Sequence, residues 1–214
     1  MSRLILVRHG QTPSNVQGLL DTAAPGPGLT PLGHEQAAAL VDVLAAERID
    51  RIVASPLART VATATPLAEE RGLPLGQDAG LREILAGDLE LLADRDSHLT
   101  YLHTVFAWAA GDLTAAMPGD PETGAGFLER YDAAVEAALD GADTAVCVSH
   151  GAAIRAWAVA RADNVPVGFG LEHGLPNTGV VILDRHGSGP WRVDAWLDRR
   201  FAAPESDPTG SPIR

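Results

Sequence analysis

A chain of 214 residues holds one sizeable domain and is too short for two comfortable ones. Its 28 acidic and 16 basic residues give a formal net charge of -12, which repels polyanions over most of the surface and argues against a nucleic-acid partner. The single cysteine, Cys147, excludes an internal disulfide, and the longest N-terminal apolar run, residues 4–7, is far short of a signal-peptide core or a membrane span. The expectation is a cytoplasmic protein with no membrane attachment.

Residues 4–7 are aliphatic and bounded by charge and glycine, the pattern of a buried parallel strand. Residues 22–28, rich in proline and glycine, read as a loop. Thr30-Pro31 is an N-cap followed by proline at the first helical position, and predicts a helix to about residue 47. A second buried strand is expected over residues 51–54. Ser55-Pro56 should cap a helix that Gly72 ends. Residues 80–85 read as a short strand or an extended loop, and residues 86–125 as mostly helical with breaks at Gly111 and Pro118-Gly119. A helix over 127–139, a strand over 144–148 and a helix over 151–160 follow. Strands near 180–183 and 192–197 come last. From residue 202 three prolines and few apolar residues predict a flexible tail. Strands alternating with helices imply an α/β fold: a three-layer sandwich with a mainly parallel central sheet flanked by helices.

In such sheets ligands bind beyond the carboxyl ends of the strands. Two histidines fall there, each followed by glycine: His9 in Arg8-His9-Gly10 and His150 in Ser149-His150-Gly151. Asn15, on the turn after the first strand, can donate an amide N–H. Gly151 opens a helix whose N-terminal N–H groups favour an anion. Arg59 lies in the first turns of the helix after the second strand. Arginines, histidines, an asparagine and a helix N-terminus at one sheet edge have the composition of a phosphate pocket. A neutral imidazole can serve as nucleophile, and a carboxyl beside it as the acid for the leaving oxygen. Glu83, in Leu81-Arg82-Glu83-Ile84, is the candidate acid. The other histidines share no metal-ligand spacing, so neither metal nor cofactor is expected. Among them His173 lies in a loop, near Leu175-Pro176-Asn177, that could reach the pocket.

Four ordered segments resemble the histidine phosphatase superfamily, in its phosphoglycerate mutase-like branch. They are Arg8-His9-Gly10 with Gln17-Gly18, Asp21 and Leu29-Thr30; Ser55-Pro56-Leu57-Ala58-Arg59 with Thr63-Ala64; Leu81 with Glu83; and Ser149-His150-Gly151 with Ile154-Arg155. The resemblance implies a single domain over residues 1–201, with residues 84–124 as a lid inserted over the pocket. It implies catalytic roles for His9, Glu83, His150, Arg8 and Arg59, and phosphate binding by Arg8, Asn15, Arg59, His150 and Gly151. His9 would carry the phosphoryl group and Glu83 would protonate the leaving oxygen, with no metal. Two departures stand out. Gln11 replaces a common glutamate, and the run from Ala86 to Leu91 lacks the aromatic and final glycine that often follow the acid, which leaves Asp88 and Glu90 as alternative acids.

Residues 84–124 hold one arginine, Arg95, against seven acids: Asp88, Glu90, Asp94, Asp96, Asp112, Asp120 and Glu122. So cation-poor a lid suits a doubly anionic mutase substrate badly. The expected function is therefore hydrolysis of a small phosphate monoester with a neutral or apolar remainder, through a phosphohistidine. A phosphoglycerate mutase-type phosphotransferase is the alternative, and a catalytically dead domain that binds a phosphorylated ligand or a protein comes third. The expected partner is the small phosphorylated substrate, and a homodimer is left open.

Overall fold

The computed structural model describes residues 1–196 and, past them, the backbone of residues 199 and 200. The tail expected from residue 202 lies outside the described residues. Strand β1 (Ser2–Arg8) leads into a short helix α1 (Pro13–Gln17), then α2 (Pro31–Val43), β2 (Arg51–Ala54), α3 (Ala58–Arg71) and β3 (Leu75–Gln77). Two 3-10 turns, Ala79–Leu81 and Gly87–Leu89, precede α4 (Arg95–Ala109) and α5 (Gly124–Leu139). Strand β4 (Thr144–Ser149), α6 (Gly151–Arg161), α7 (Val167–Glu172), β5 (Val180–Arg185), β6 (Arg192–Trp196) and β7 (Arg199–Arg200) complete the order.

The strands form one sheet in the order β3-β2-β4-β1-β5-β6-β7. Pairing is parallel from β3 to β1 and antiparallel from β1 onward through β5 and β6. Side chains of β1 alternate between two cores. Leu4 and Leu6 pack with α4, α5 and α6, whereas Ile5 and Val7 pack with α2 and α3. That double burial explains the unbroken aliphatic run, and burying each such side chain contributes about 1.5–3 kcal/mol. The result is the expected three-layer sandwich. Because β1, β4 and β2 pair parallel to one another, their carboxyl ends share one rim of the sheet.

Local signals explain most boundaries. The Thr30 hydroxyl accepts the Gly33 N–H at 3.0 Å, and Gly72 ends α3 in the left-handed region at φ 62°. Ser55 does not cap α3, which begins at Ala58 after an N-cap at Leu57 with no side-chain bond. The Ser55 hydroxyl meets His150 Nε2 instead, at 2.9 Å. Residues 80–85 form the end of a 3-10 turn and a loop, not a strand. Across 86–125 the helical expectation holds only for α4 and the start of α5. Leu91 and Asp120 adopt positive φ, and between α4 and α5 the chain packs irregularly, burying Met117 without a helix. Helices α1 and α7 and strand β3 went unforeseen; each is six residues or fewer, too short for a periodic signal.

Candidate active site

Strand β1 delivers Arg8 and His9 to the rim, and the chain turns at Gly10. A Cβ on Gly10 would lie 2.6 Å from the Gly33 carbonyl, so the N-terminus of α2 can close against this turn only at a glycine. The His9 backbone N–H is held by Ser149 O at 3.0 Å, which ties the ends of β1 and β4 together. Its ring Nδ1 sits 2.8 Å from Gly10 O. A carbonyl can only accept, so Nδ1 carries the proton and Nε2 keeps its lone pair. Burial, reinforced by the nearby Arg59 and Arg8 charges, pushes the His9 pKa well below its ordinary value, which keeps the ring neutral near pH 7.

Helix α1 sets Asn15. Its N–H donates to the Thr12 hydroxyl at 3.2 Å, and its Oδ1 accepts the Thr12 N–H at 3.1 Å, a reciprocal cap. Asn177 Nδ2 donates to the same Oδ1 at 3.0 Å and to His9 O at 3.0 Å. With its oxygen so engaged, Asn15 presents its amide N–H groups to the cavity that it lines.

Arg59 is almost wholly buried. Nη2 donates to Asp21 O at 3.1 Å and Nε to His150 Nδ1 at 3.4 Å, while Nη1 has no hydrogen-bond partner among the described residues and stands 3.8 Å from Asp21 Oδ1. Accepting from Arg59 makes His150 Nδ1 the unprotonated nitrogen, so Nε2–H donates to Ser55 Oγ. The two imidazoles meet edge to face, centroids 5.3 Å apart. Burial, then Arg59 and His9, hold the His150 pKa well down. Arg8 donates to Leu175 O and leaves Nε buried without a partner, against Gly151, where a Cβ would come within 3.1 Å of that nitrogen. Unpaired guanidinium N–H groups at the rim suit an incoming anion.

Glu83 reaches across to the N-terminus of α6. Its Oε1 accepts from Ile84 N at 3.0 Å and Ala153 N at 2.8 Å, and Oε2 accepts from Ala152 N at 3.2 Å. Arg130 of α5 fixes the backbone beneath it: Nη1 donates to Gly80 O (2.6 Å) and Arg82 O (2.9 Å), and Nη2 to Glu83 O (3.2 Å). Glu122 neutralises Arg130 through two bonds, one of them 2.9 Å to Nη2. The Tyr101 hydroxyl donates to Ile84 O at 2.7 Å. The alternative acids stand elsewhere. Glu90 accepts from Thr22 N at 2.8 Å and Ala23 N at 3.0 Å, and neither it nor Asp88 lines the cavity.

A cavity of about 410 Å³ gathers Arg8, His9, Asn15, Arg59, Glu83 and Gly151 in its wall. His150 is fully buried behind them, against Arg59 and His9. Helix α4 adds His98, Tyr101 and Leu102, but none of the seven acids of residues 84–124 reaches the wall. The loop before β5 does reach the pocket, through Asn177 and not His173, whose ring stacks on Phe169 at 4.0 Å. Arg155 also lines the cavity; it lies one helical turn beyond Gly151, a spacing that could have found it. Among the described residues no three His, Cys, Asp or Glu side chains cluster as metal ligands, and no helix is long and apolar enough to cross a membrane.

The family model described as the histidine phosphatase superfamily (branch 1) matches residues 4–199. The chain belongs to that superfamily. Over 95% of its length it is 37% identical to the PE-PGRS family protein PE_PGRS11 of Mycobacterium tuberculosis, of which it spans 37%. It is 35% identical to the adenosylcobalamin/alpha-ribazole phosphatase of Escherichia coli, over 61% of this chain and 63% of that one. It thus spans less than two thirds of each of these two relatives. A glucosyl-3-phosphoglycerate phosphatase of Mycobacterium tuberculosis is 32% identical over 91% of this chain and 93% of its own. The solved structure of a mycobacterial glucosyl-3-phosphoglycerate phosphatase with VO3 superposes with a TM-score of 0.74 at 28% identity, covering 92% of this chain and 99% of that one. That solved structure shares the sandwich fold of this chain.

Proposed function

We propose that the protein is a phosphatase that hydrolyses a small phosphate monoester through a phosphohistidine on His9. The observation that carries this reading is the His9 Nδ1–H bond to Gly10 O at 2.8 Å, which leaves Nε2 as the nucleophilic nitrogen of a cavity-lining ring. In the first step Nε2 bonds to phosphorus and the ester P–O bond breaks. Glu83 gives its proton to the leaving oxygen. In the second step Glu83 takes a proton from water, the water oxygen bonds to phosphorus, and the P–N bond breaks to return neutral His9 and inorganic phosphate. Arg8, Arg59, the Asn15 amide and the Gly151 N–H at the start of α6 bind the phosphoryl oxygens and stabilise their charge. His150 joins them once its Nδ1, which accepts the long 3.4 Å bond from Arg59, takes a proton and donates to a phosphoryl oxygen. Residues 84–124 act as the cover of the site, in a cytoplasmic enzyme. Relatives named as phosphatases support hydrolysis over transfer to a second alcohol. The dead-domain reading requires loss of Arg8, His9, Arg59 or His150, and all four are present.

The test is a quenched incubation with p-nitrophenyl phosphate. An acid-labile, base-stable phosphoryl group should appear on His9, with release of free phosphate, and both should vanish in His9→Ala. Full turnover by His9→Ala would falsify the mechanism.

A further inference from the structure

The turn between α7 and β5 meets three residues of the site. Arg8 donates to Leu175 O. The Thr178 N–H donates to Arg8 O at 3.0 Å and to His9 O at 3.3 Å. Asn177 Nδ2 donates to His9 O and to Asn15 Oδ1, both at 3.0 Å. Thr178 sits at φ 54°, a left-handed conformation that β-branched residues avoid. Such strain persists only where the surroundings over-determine it, and here the carbonyls of Arg8 and His9 both hold the Thr178 N–H. The proposed mechanism gives Asn177 no step, although it lines the cavity.

These bonds fix which way two amides point. The His9 carbonyl can only accept, so the Asn177 atom facing it is Nδ2 and not Oδ1. That nitrogen carries a second hydrogen, and it meets Asn15. The Asn15 atom receiving it must therefore be Oδ1, and the Thr12 N–H at 3.1 Å makes the same demand independently. Both acceptor sites of Asn15 Oδ1 are then taken. What the Asn15 amide has left for the cavity is Nδ2, which only donates. A single bond from Thr12 would let the amide pivot about its oxygen; two donors lock it. Turned over, the same amide would aim an oxygen at a phosphate.

We propose that Asn177 is a positioning residue for phosphate binding: by donating from one nitrogen to His9 O and Asn15 Oδ1, it holds the Asn15 amide with Nδ2 toward the phosphoryl group. The orientation is referred to the carbonyl of the nucleophile itself, so His9 and the Asn15 donor keep one relative placement. The proposal rests on the phosphatase reading for its ligand. It makes Asn177 act through Asn15, so the effect of Asn177 must disappear once residue 15 has no amide to orient.

The experiment is a double-mutant cycle in affinity for inorganic phosphate. Titration calorimetry is run on wild type, Asn15→Ala, Asn177→Ala and the double variant. Asn15→Ala should weaken binding at least about tenfold, the loss of one hydrogen bond to a charged group. Asn177→Ala should weaken it at least about fivefold when Asn15 is present, and by no more than about twofold when Asn15 is already alanine. Asn177→Leu fills the volume of the amide without a donor; it should follow the alanine variant, and it decides the matter if that variant does not fold. In NMR spectra phosphate should shift the Asn15 side-chain amide of the wild type, and by less than about half as much in Asn177→Ala, a change that a loop staple would not produce. Losses that multiply across the cycle, or an Asn177→Ala affinity equal to that of wild type, would overturn the proposal and leave Asn177 a fastener of the turn. Wild-type turnover of p-nitrophenyl phosphate reports separately on the phosphatase reading, and a wild type that neither binds phosphate nor turns over this ester would sink both.

Discussion

Two buried neutral histidines at the rim of the sheet, His9 and His150, make a claim about stability as well as chemistry. In the unfolded chain each titrates near 6.5, and in the folded chain both pKa values are pushed well below that, by burial first and then by neighbouring cations. Above that pH both states are neutral and the pair contributes no pH dependence. Below it the unfolded chain takes up protons that the folded chain refuses, so stability falls as the pH falls, until the folded sites themselves protonate. So long as neither protonates when folded, each loses about 1.3 kcal/mol between pH 7 and pH 5.5, about 2.5 kcal/mol for the pair. Against a total of about 5–15 kcal/mol this is a large share, and in urea it lowers the midpoint by about 1 M. Buried Trp108, Trp157 and Trp196 give a fluorescence signal for the unfolding curves. The window lies above the range in which ordinary carboxylates titrate. A His9→Asn/His150→Asn double variant should lose most of the slope, and NMR of the wild-type ring protons should show both imidazoles still neutral at pH 5.5. An equal acid sensitivity in wild type and double variant, or rings that protonate near 6.5 in the folded protein, would refute the reasoning.

Glu83→Gln should lose roughly 10²–10⁴-fold in rate on alkyl phosphates, whose leaving oxygen needs a proton, and far less on p-nitrophenyl phosphate; equal losses on the two substrates would remove it from the acid role. Asp88→Asn should stay near wild type on both, because Asp88 is not in the cavity wall. Arg130→Met frees the carbonyls of Gly80, Arg82 and Glu83 together, so it should reproduce a milder form of the Glu83 pattern, about tenfold on alkyl phosphates and within about threefold on p-nitrophenyl phosphate. A uniform loss in kcat/KM would make Arg130 a stability residue alone.

What the sequence could show was set by which signals are local. The aliphatic runs of β1, β2 and β4 are buried on both faces, and that burial is legible without knowing the neighbours. Thr30, Pro31 and Gly72 act on the chain next to them, so they read correctly as helix punctuation. Ser55 carries the same signature as a cap, yet His150, just past the end of β4 and far along the chain, takes its hydroxyl; no local rule foresees a competitor brought in by the fold. Residues 86–125 look helical because apolar spacing there serves the core, but Leu91 and Asp120 enter the left-handed region where nothing in their identity demands it.

Charge was the least legible quantity, since a sum over residues ignores direction. Asp94 caps its own helix at Ser97, Glu90 holds the backbone of Thr22 and Ala23, and Glu122 neutralises Arg130, so much of the acidity of residues 84–124 is engaged away from the cavity. Arg155 adds one positive charge to the sequence total and, in the wall, one partly desolvated cation beside Arg8 and Glu83. Because interaction energy grows as the local dielectric falls, a single cation so placed weighs more on an anion in the pocket than several exposed acids outside it. A net charge of -12 therefore does not fix the field inside the pocket, which turns on which side chains line about 410 Å³ of the molecule.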